Sequence, residues 1–224
     1  MTYKLSPSRM NLFFECPRCF WLRVNEKVQR PSGPFPSLPS GVDEAVKEHF
    51  DSFRERDEVP PEIQECSEDN LTLFEDQGFL EDARSWRTEP KWRDPDSGAL
   101  LRGGVDDLMR NSEGEIVVLD YKTRGYPPKE ENGAPDYYAR QVNLYNLILR
   151  KNGYSTADYG LILYFYPDGF EESGDFVFHT EVRRVEVDIC EAKDMVRDAV
   201  ETLDGGIPEH DEDCEYSEWS PEGF

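Results

Sequence analysis

The segment IVVLDYKT, residues 116–123, sets a carboxylate and an ammonium two positions apart at the end of an apolar run. Period-two alternation reads as a strand and turns Asp120 and Lys122 to one face, roughly 7 Å apart along the chain. Ile116 and Val118 share that face; Val117, Leu119 and Tyr121 take the other. Upstream, LLRGGVDDLM carries Asp106 shortly after two glycines. A hairpin closed by the turn NSEGE brings Asp106 beside Asp120. Two carboxylates held together suit a hard cation such as Mg2+ or Mn2+. Hydrolysis of a phosphodiester needs a deprotonated water and stabilised charge, and divalent ions supply most of both. Lys122 is the residue to orient the water or to stabilise the developing charge, and the Tyr121 carbonyl is a further candidate ligand. Asp107 falls on the opposite face from Asp106 and reads as a solvated neighbour.

Several elements must position these groups. Ser6-Pro7 reads as a helix cap with proline at the first helical position, and Pro17 bends or ends that helix. Residues 30–41 are rich in Pro, Ser and Gly and read as a loop. Val42, Ala45, Val46, His49, Phe50 and Phe53 recur at helical spacing, giving a second helix over about 41–56. Residues 57–70 read as loop, and 71–83 as a short amphipathic segment. Residues 86–93 and 99–110 read as strands split by the turn DPDSG. The segment DYYARQVNLYNLILRK, 136–151, predicts an amphipathic helix, LILYFYP a buried strand, 175–187 another strand and 188–203 a last helix. This order indicates an α/β fold with a central mixed sheet flanked by helices. Residues 1–203 read as one domain and 204–224 as an acidic C-terminal tail.

Bulk composition bounds the partners. The 12% aromatic content predicts an ordered core even though charged residues reach 33%. The formal net charge of -23 works against nucleic acid, since such affinity rests on Lys and Arg neutralising phosphates. A nucleic-acid enzyme of this composition needs a local basic groove. Arg84, Arg87, Lys91, Arg93 and Arg102, with Arg124 and Arg140, are the candidates for one. The five cysteines are odd in number and no secretory signal precedes them, which points to a reducing, cytoplasmic setting. No stretch has the roughly 18 apolar residues of a membrane span.

GGVDDL followed by LDYKTR is similar to motifs II and III of the PD-(D/E)XK nuclease superfamily. Within it, the chain resembles the RecB-type nuclease domain and the related CRISPR-adaptation nucleases. There an Asp after a Gly-rich strand, then D/E-x-K, then Q-x-x-x-Y on a helix mark the active site. Gln141 and Tyr145 match that last element and share one helix face. LSPSRMNLFFECPRCFWL resembles the opening helix of the group. The resemblance implies a restriction-endonuclease-like core with Asp106, Asp120, Lys122, Gln141 and Tyr145 as its catalytic set. It also implies nucleic acid as partner, single-stranded or end-containing DNA, and a protein partner in a repair or CRISPR complex.

Two departures stand out. Related nucleases carry a His four residues after a Gly on the early helix; Ala45 stands there, and His49, one turn on, is the candidate metal ligand, with Asp43 and Glu44 as alternatives. Iron–sulfur members use one early and three late cysteines, whereas here Cys16 and Cys19 are early and only Cys214 is late, with Ser217 where another would stand. Buried or free thiols are therefore the expectation, with zinc or an iron–sulfur cluster on Cys16, Cys19 and Cys214, with His210, as the alternative; Cys66 and Cys190 read as ordinary small apolar residues. The functional expectation is a Mg- or Mn-dependent nuclease acting on DNA in repair, recombination or defence. The alternative is a catalytically silent binding or assembly module of the same fold, or an acidic protein that mimics DNA.

Overall fold

A computed structural model describes residues 2–31, 33, 37–64, 70–85, 87–129, 134–209 and 214–216. Strand β1 (Lys4–Leu5) leads to helices α1 (Pro7–Glu15) and α2 (Pro17–Trp21), and a π-helical turn follows at Leu22–Glu26. Pro17 ends one helix and starts the next, each with proline at its first position. Then come α3 (Ser37–Arg54), α4 (Pro61–Gln64), β2 (Thr72–Leu73), α5 (Gln77–Arg84), β3 (Lys91–Arg93), β4 (Leu100–Arg102), β5 (Asp107–Arg110) and β6 (Ile116–Thr123). Helix α6 (Asp136–Lys151), β7 (Tyr159–Phe170), β8 (Phe176–Glu186) and α7 (Ile189–Asp204) complete the order.

The main sheet has the strand order β2-β5-β6-β7-β8, and a smaller one has β1-β4-β3. Pairings β5–β6 and β7–β8 are antiparallel; β6–β7 is parallel. A parallel pair needs a crossover, and α6 provides it. One face of the sheet packs Val117, Leu119 and Tyr121 with Val46 and Phe50 of α3. The other packs Ile116 and Val118 with Tyr145 and Leu149 of α6. The site strand is therefore sandwiched between two helices, as its period-two pattern requires. Gly160 of β7 lets α6 lie close: a Cβ there would meet Val142 Cγ1 at 2.5 Å and the Val118 carbonyl at 3.1 Å.

Five sequence boundaries move. Helix α3 begins at Ser37, inside the Pro-rich stretch read as loop, and α4 with its buried Ile63 lies within the segment read as 57–70 loop. The amphipathic segment 71–83 divides into β2 and α5, where Asp76 caps the helix by accepting from Phe79 N. Of the strand read over 86–93, only Lys91–Arg93 is extended; Trp86 lies outside the described residues. The strand read over 99–110 is two strands in two sheets. The break is Gly103-Gly104, where a Cβ on the first would meet Pro7 at 2.9 Å and Tyr145 at 3.0 Å, and one on the second the Arg84 carbonyl at 3.1 Å.

The segment read as an acidic tail returns to the N-terminal helices. Arg18 Nη1 donates to the Pro208 carbonyl at 2.9 Å, Cys214 is buried, and the Arg30 guanidinium lies 4.6 Å from the Tyr216 ring centroid.

Candidate active site

Register builds the site. Asp107 pairs with Leu119 across β5–β6, so one step back the antiparallel ladder sets Asp106 opposite Asp120. Asp106 fixes itself there by accepting from Tyr121 N at 3.0 Å through Oδ2. Asp120 is fully buried, and its Oδ1 accepts no hydrogen bond. Lys122 Nζ lies against Asp120 Oδ2 as an ion pair and also sits 4.9 Å from the Tyr138 ring centroid. Burial, reinforced by Asp106, pushes the Asp120 carboxyl up to about 7 despite the opposing pull of Lys122.

Helix α6 brings the second half. Gln141 Nε2 donates to Tyr145 Oη at 2.7 Å. Burial, then Asp120 and Asp106, raise the Tyr145 phenol well above its ordinary value, so it stays protonated. Five residues singled out in the sequence thus converge: Asp106, Asp120, Lys122, Gln141 and Tyr145.

Three expectations change. Asp107 is not solvated; it is fully buried, with Arg54 Nη2 at 2.6 Å, Arg84 Nη2 at 2.7 Å and the Tyr121 hydroxyl donating at 2.7 Å. The facing rule held, but the opposite face of the sheet is core, so the carboxylate carries its own cations. The expected basic groove is also partly spent. Arg84 serves Asp107 and Asp51, Arg102 pairs with the buried Glu89, and Arg140 lies over the Phe14 ring at 4.5 Å. Cys190, read as an ordinary small apolar residue, is exposed.

The early helix offers Lys47 rather than a histidine. Lys47 Nζ stands 2.7 Å from Asp43 Oδ2 and 3.3 Å from Asp106 Oδ1. Burial lowers its pKa, but Asp106 and then Asp43 outweigh that and leave it raised. His49 points elsewhere: Nε2 is 3.1 Å from Glu62, and its ring packs edge-on against Phe53 at 5.0 Å. Lys47 was missed, and Arg84 was read only as a groove cation, because a basic residue on a helix gives no spacing signal; each is defined by a carboxylate far away in the chain.

Cys16, Cys19 and Cys214 are all buried, and their sulfur atoms lie within 4.8 Å of one another. Burial drives the Cys19 thiol up to about 12. Cys16 is lowered instead: burial raises it, but hydrogen bonding from Cys19, Cys214 and Arg30 prevails. His210, Ser217 and Cys66 lie outside the described residues.

This ordered pair of acids and lysine on adjacent strands, flanked by a glutamine–tyrosine helix, is the arrangement of a nuclease-type core. The family model of the PD-(D/E)XK nuclease superfamily matches residues 4–220, and the chain belongs to that superfamily. No curated protein matches the sequence significantly. Among solved structures, the one titled "Crystal structure of SSO0001" is similar, with a TM-score of 0.51 at 13% identity, covering 97% of this chain and 86% of that one. At that identity the likeness is one of fold. No helix among the described residues is long and apolar enough to cross a membrane.

Proposed function

We propose that the chain is a divalent-metal-dependent nuclease that hydrolyses DNA phosphodiester bonds, in repair, recombination or defence. One observation carries this reading: Asp120 is fully buried, its Oδ1 has no hydrogen-bond partner, its Oδ2 has the Lys122 ammonium, and Asp106 stands opposite. An ionised carboxylate without such bonds in the interior is costly, and a hard cation on both acids relieves that cost. The donor set therefore fits Mg2+ or Mn2+, held by Asp106, Asp120 and the Tyr121 carbonyl. His49, engaged with Glu62, stays outside this set. Bound there, the cation would lower the pKa of a water and polarise the phosphate.

The protein groups divide the remaining work. Lys122 holds the attacking water and meets the charge that grows on phosphorus-bound oxygen. Tyr145, kept neutral and oriented by Gln141, donates toward the same charge. The Arg84 and Asp107 network fixes the strand end from behind. Residues 1–203 act as one nuclease domain in the cytoplasm, on single-stranded or end-containing DNA.

Cleavage of labelled single- and double-stranded DNA with Mg2+, Mn2+ or EDTA, beside Lys122→Ala, tests this. Metal-dependent cleavage that disappears in the variant supports it. Folded protein inactive under every metal and salt condition would favour the silent binding module. Lys47 and Lys122 give that second reading its footing, since both already neutralise the carboxylates without a metal.

Cys16, Cys19 and Cys214 form a separate candidate centre for zinc or an iron–sulfur cluster. Tetrahedral thiolates around zinc stand about 3.8 Å apart given bonds of about 2.3 Å. Cys19 Sγ and Cys214 Sγ are 3.9 Å apart.

A further inference from the structure

Beside Gln141 and Tyr145 opens a cleft of about 460 Å³. Its wall carries Lys4, Arg9, Arg23 and Arg102 and a single acid, Glu89. In a chain of net charge -23, this concentration of cations runs against the average surface. Glu89 is buried and is taken by Arg102. Arg9 donates to the Lys4 carbonyl, and neither Arg9 nor Arg23 has a carboxylate partner among the described residues. The guanidiniums converge closely enough to repel: burial, then Arg23 and Arg102, lower the Arg9 pKa. Helix α1 starts at the same wall, so its N-terminal dipole adds positive potential. Gly103 and Gly104 leave the floor free of side chains.

Cations gathered without carboxylates, at the mouth of a site for phosphodiesters, call for an anion. We propose that this cleft binds a phosphate of the nucleic-acid strand next to the bond being cleaved, with Arg9 and Arg23 as its principal ligands. The inference rests on the nuclease reading for its location and deepens it by naming the anchor. It also resolves how so acidic a protein holds DNA: through one local cluster, with the metal site neutralising the neighbouring phosphate. The unit recognised is a phosphate group, either the terminal one of a strand or an internal one.

The test is binding of fluorescent single-stranded oligonucleotides to the full chain in EDTA, across a salt series. Three strands are compared: 5′-phosphorylated, 5′-hydroxyl and circular. Arg9→Gln/Arg23→Gln should weaken binding about tenfold or more and flatten the salt slope by roughly 0.7, the contribution of one phosphate contact on a single strand. Arg23 is exposed, so Arg23→Glu alone provides a variant whose folding is secure and should lose at least as much as Arg23→Gln. A gain from the 5′-phosphate that the double variant abolishes assigns a terminal phosphate; equal binding of the circular strand assigns an internal one. Unchanged affinity and slope in both variants would overturn the proposal. The two readings fail separately. Arg-dependent binding by a protein that never cleaves leaves the cleft standing and removes the nuclease. Asp120-dependent cleavage with Arg-independent binding does the reverse.

Discussion

Arg84 holds Asp107 from behind the sheet at 2.7 Å, while its Nε donates to the main-chain carbonyl of Asp106 at 2.9 Å. One guanidinium thus fixes both members of the Asp-Asp pair, one by its side chain and the other by its backbone. Arg84 thus grips Asp106 through its main chain only, and leaves the carboxylate to Tyr121 N and Lys47.

Breaking that grip should cost stability more than chemistry alone would suggest. Asp107→Asn leaves Arg54 and Arg84 half-paired in the interior, a loss of about 3–5 kcal/mol for a buried pair. Urea denaturation should show it, with Asp106→Asn, at a more exposed position, costing well under half as much. Equal costs for the two substitutions would remove the network from the account.

Asp120→Asn should raise the stability of metal-free protein at neutral pH and above. Its ionised form is disfavoured by burial and by Asp106 beyond what Lys122 returns, so an uncharged isostere is preferred. A gain of about 1–3 kcal/mol is expected from removing a desolvated group. The wild type, not the variant, should then be stabilised by Mn2+, by about 2.7 kcal/mol at a hundredfold excess over Kd. Calorimetric melts with and without Mn2+ read both effects; a destabilised Asp120→Asn would contradict them.

Lys47 competes for the carboxylates that a cation needs. Removing its ammonium, 3.3 Å from Asp106, should tighten Mn2+ binding roughly tenfold, about 1.4 kcal/mol. Isothermal titration of Lys47→Met is the check. Weaker binding would mean that Lys47 organises Asp43 and Asp106 rather than blocking them.

The thiol cluster makes a prediction of its own. Protein purified under reducing conditions should carry close to one equivalent of bound zinc or an iron–sulfur cluster, and Cys214→Ser should release it and lower the melting temperature. Elemental analysis beside an absorption spectrum separates the two cofactors, and metal-free protein with unaltered melting in Cys214→Ser would dismiss both.

The candidate centre was legible because it is local. Asp120, Lys122, Gln141 and Tyr145 announce themselves by periods of two and four within single elements, and the hairpin adds Asp106. What the sequence hid is set by distance. Nothing in GGVDDLM says that Asp107 meets Arg54 and Arg84, since those residues sit on other helices. The run 99–110 looked like one strand because alternation continues through Gly103-Gly104, while the chain changes sheets there to clear Pro7 and Tyr145. The cleft cations Arg9 and Arg23 were invisible for the same reason: α1 meets β4 only in the fold.

Gly160 bears no functional group, yet it sets the clearance between the two halves of the site. With Val142 Cγ1 2.5 Å from where its Cβ would stand, any larger residue wedges α6 off the sheet one position from Gln141. Asp120 and Lys122 would keep their strand, and Gln141 and Tyr145 their helix, but the two pairs would part. The alignment of the proposed site is therefore inherited from an empty space, and an alanine there should part the two pairs without removing a reactive group.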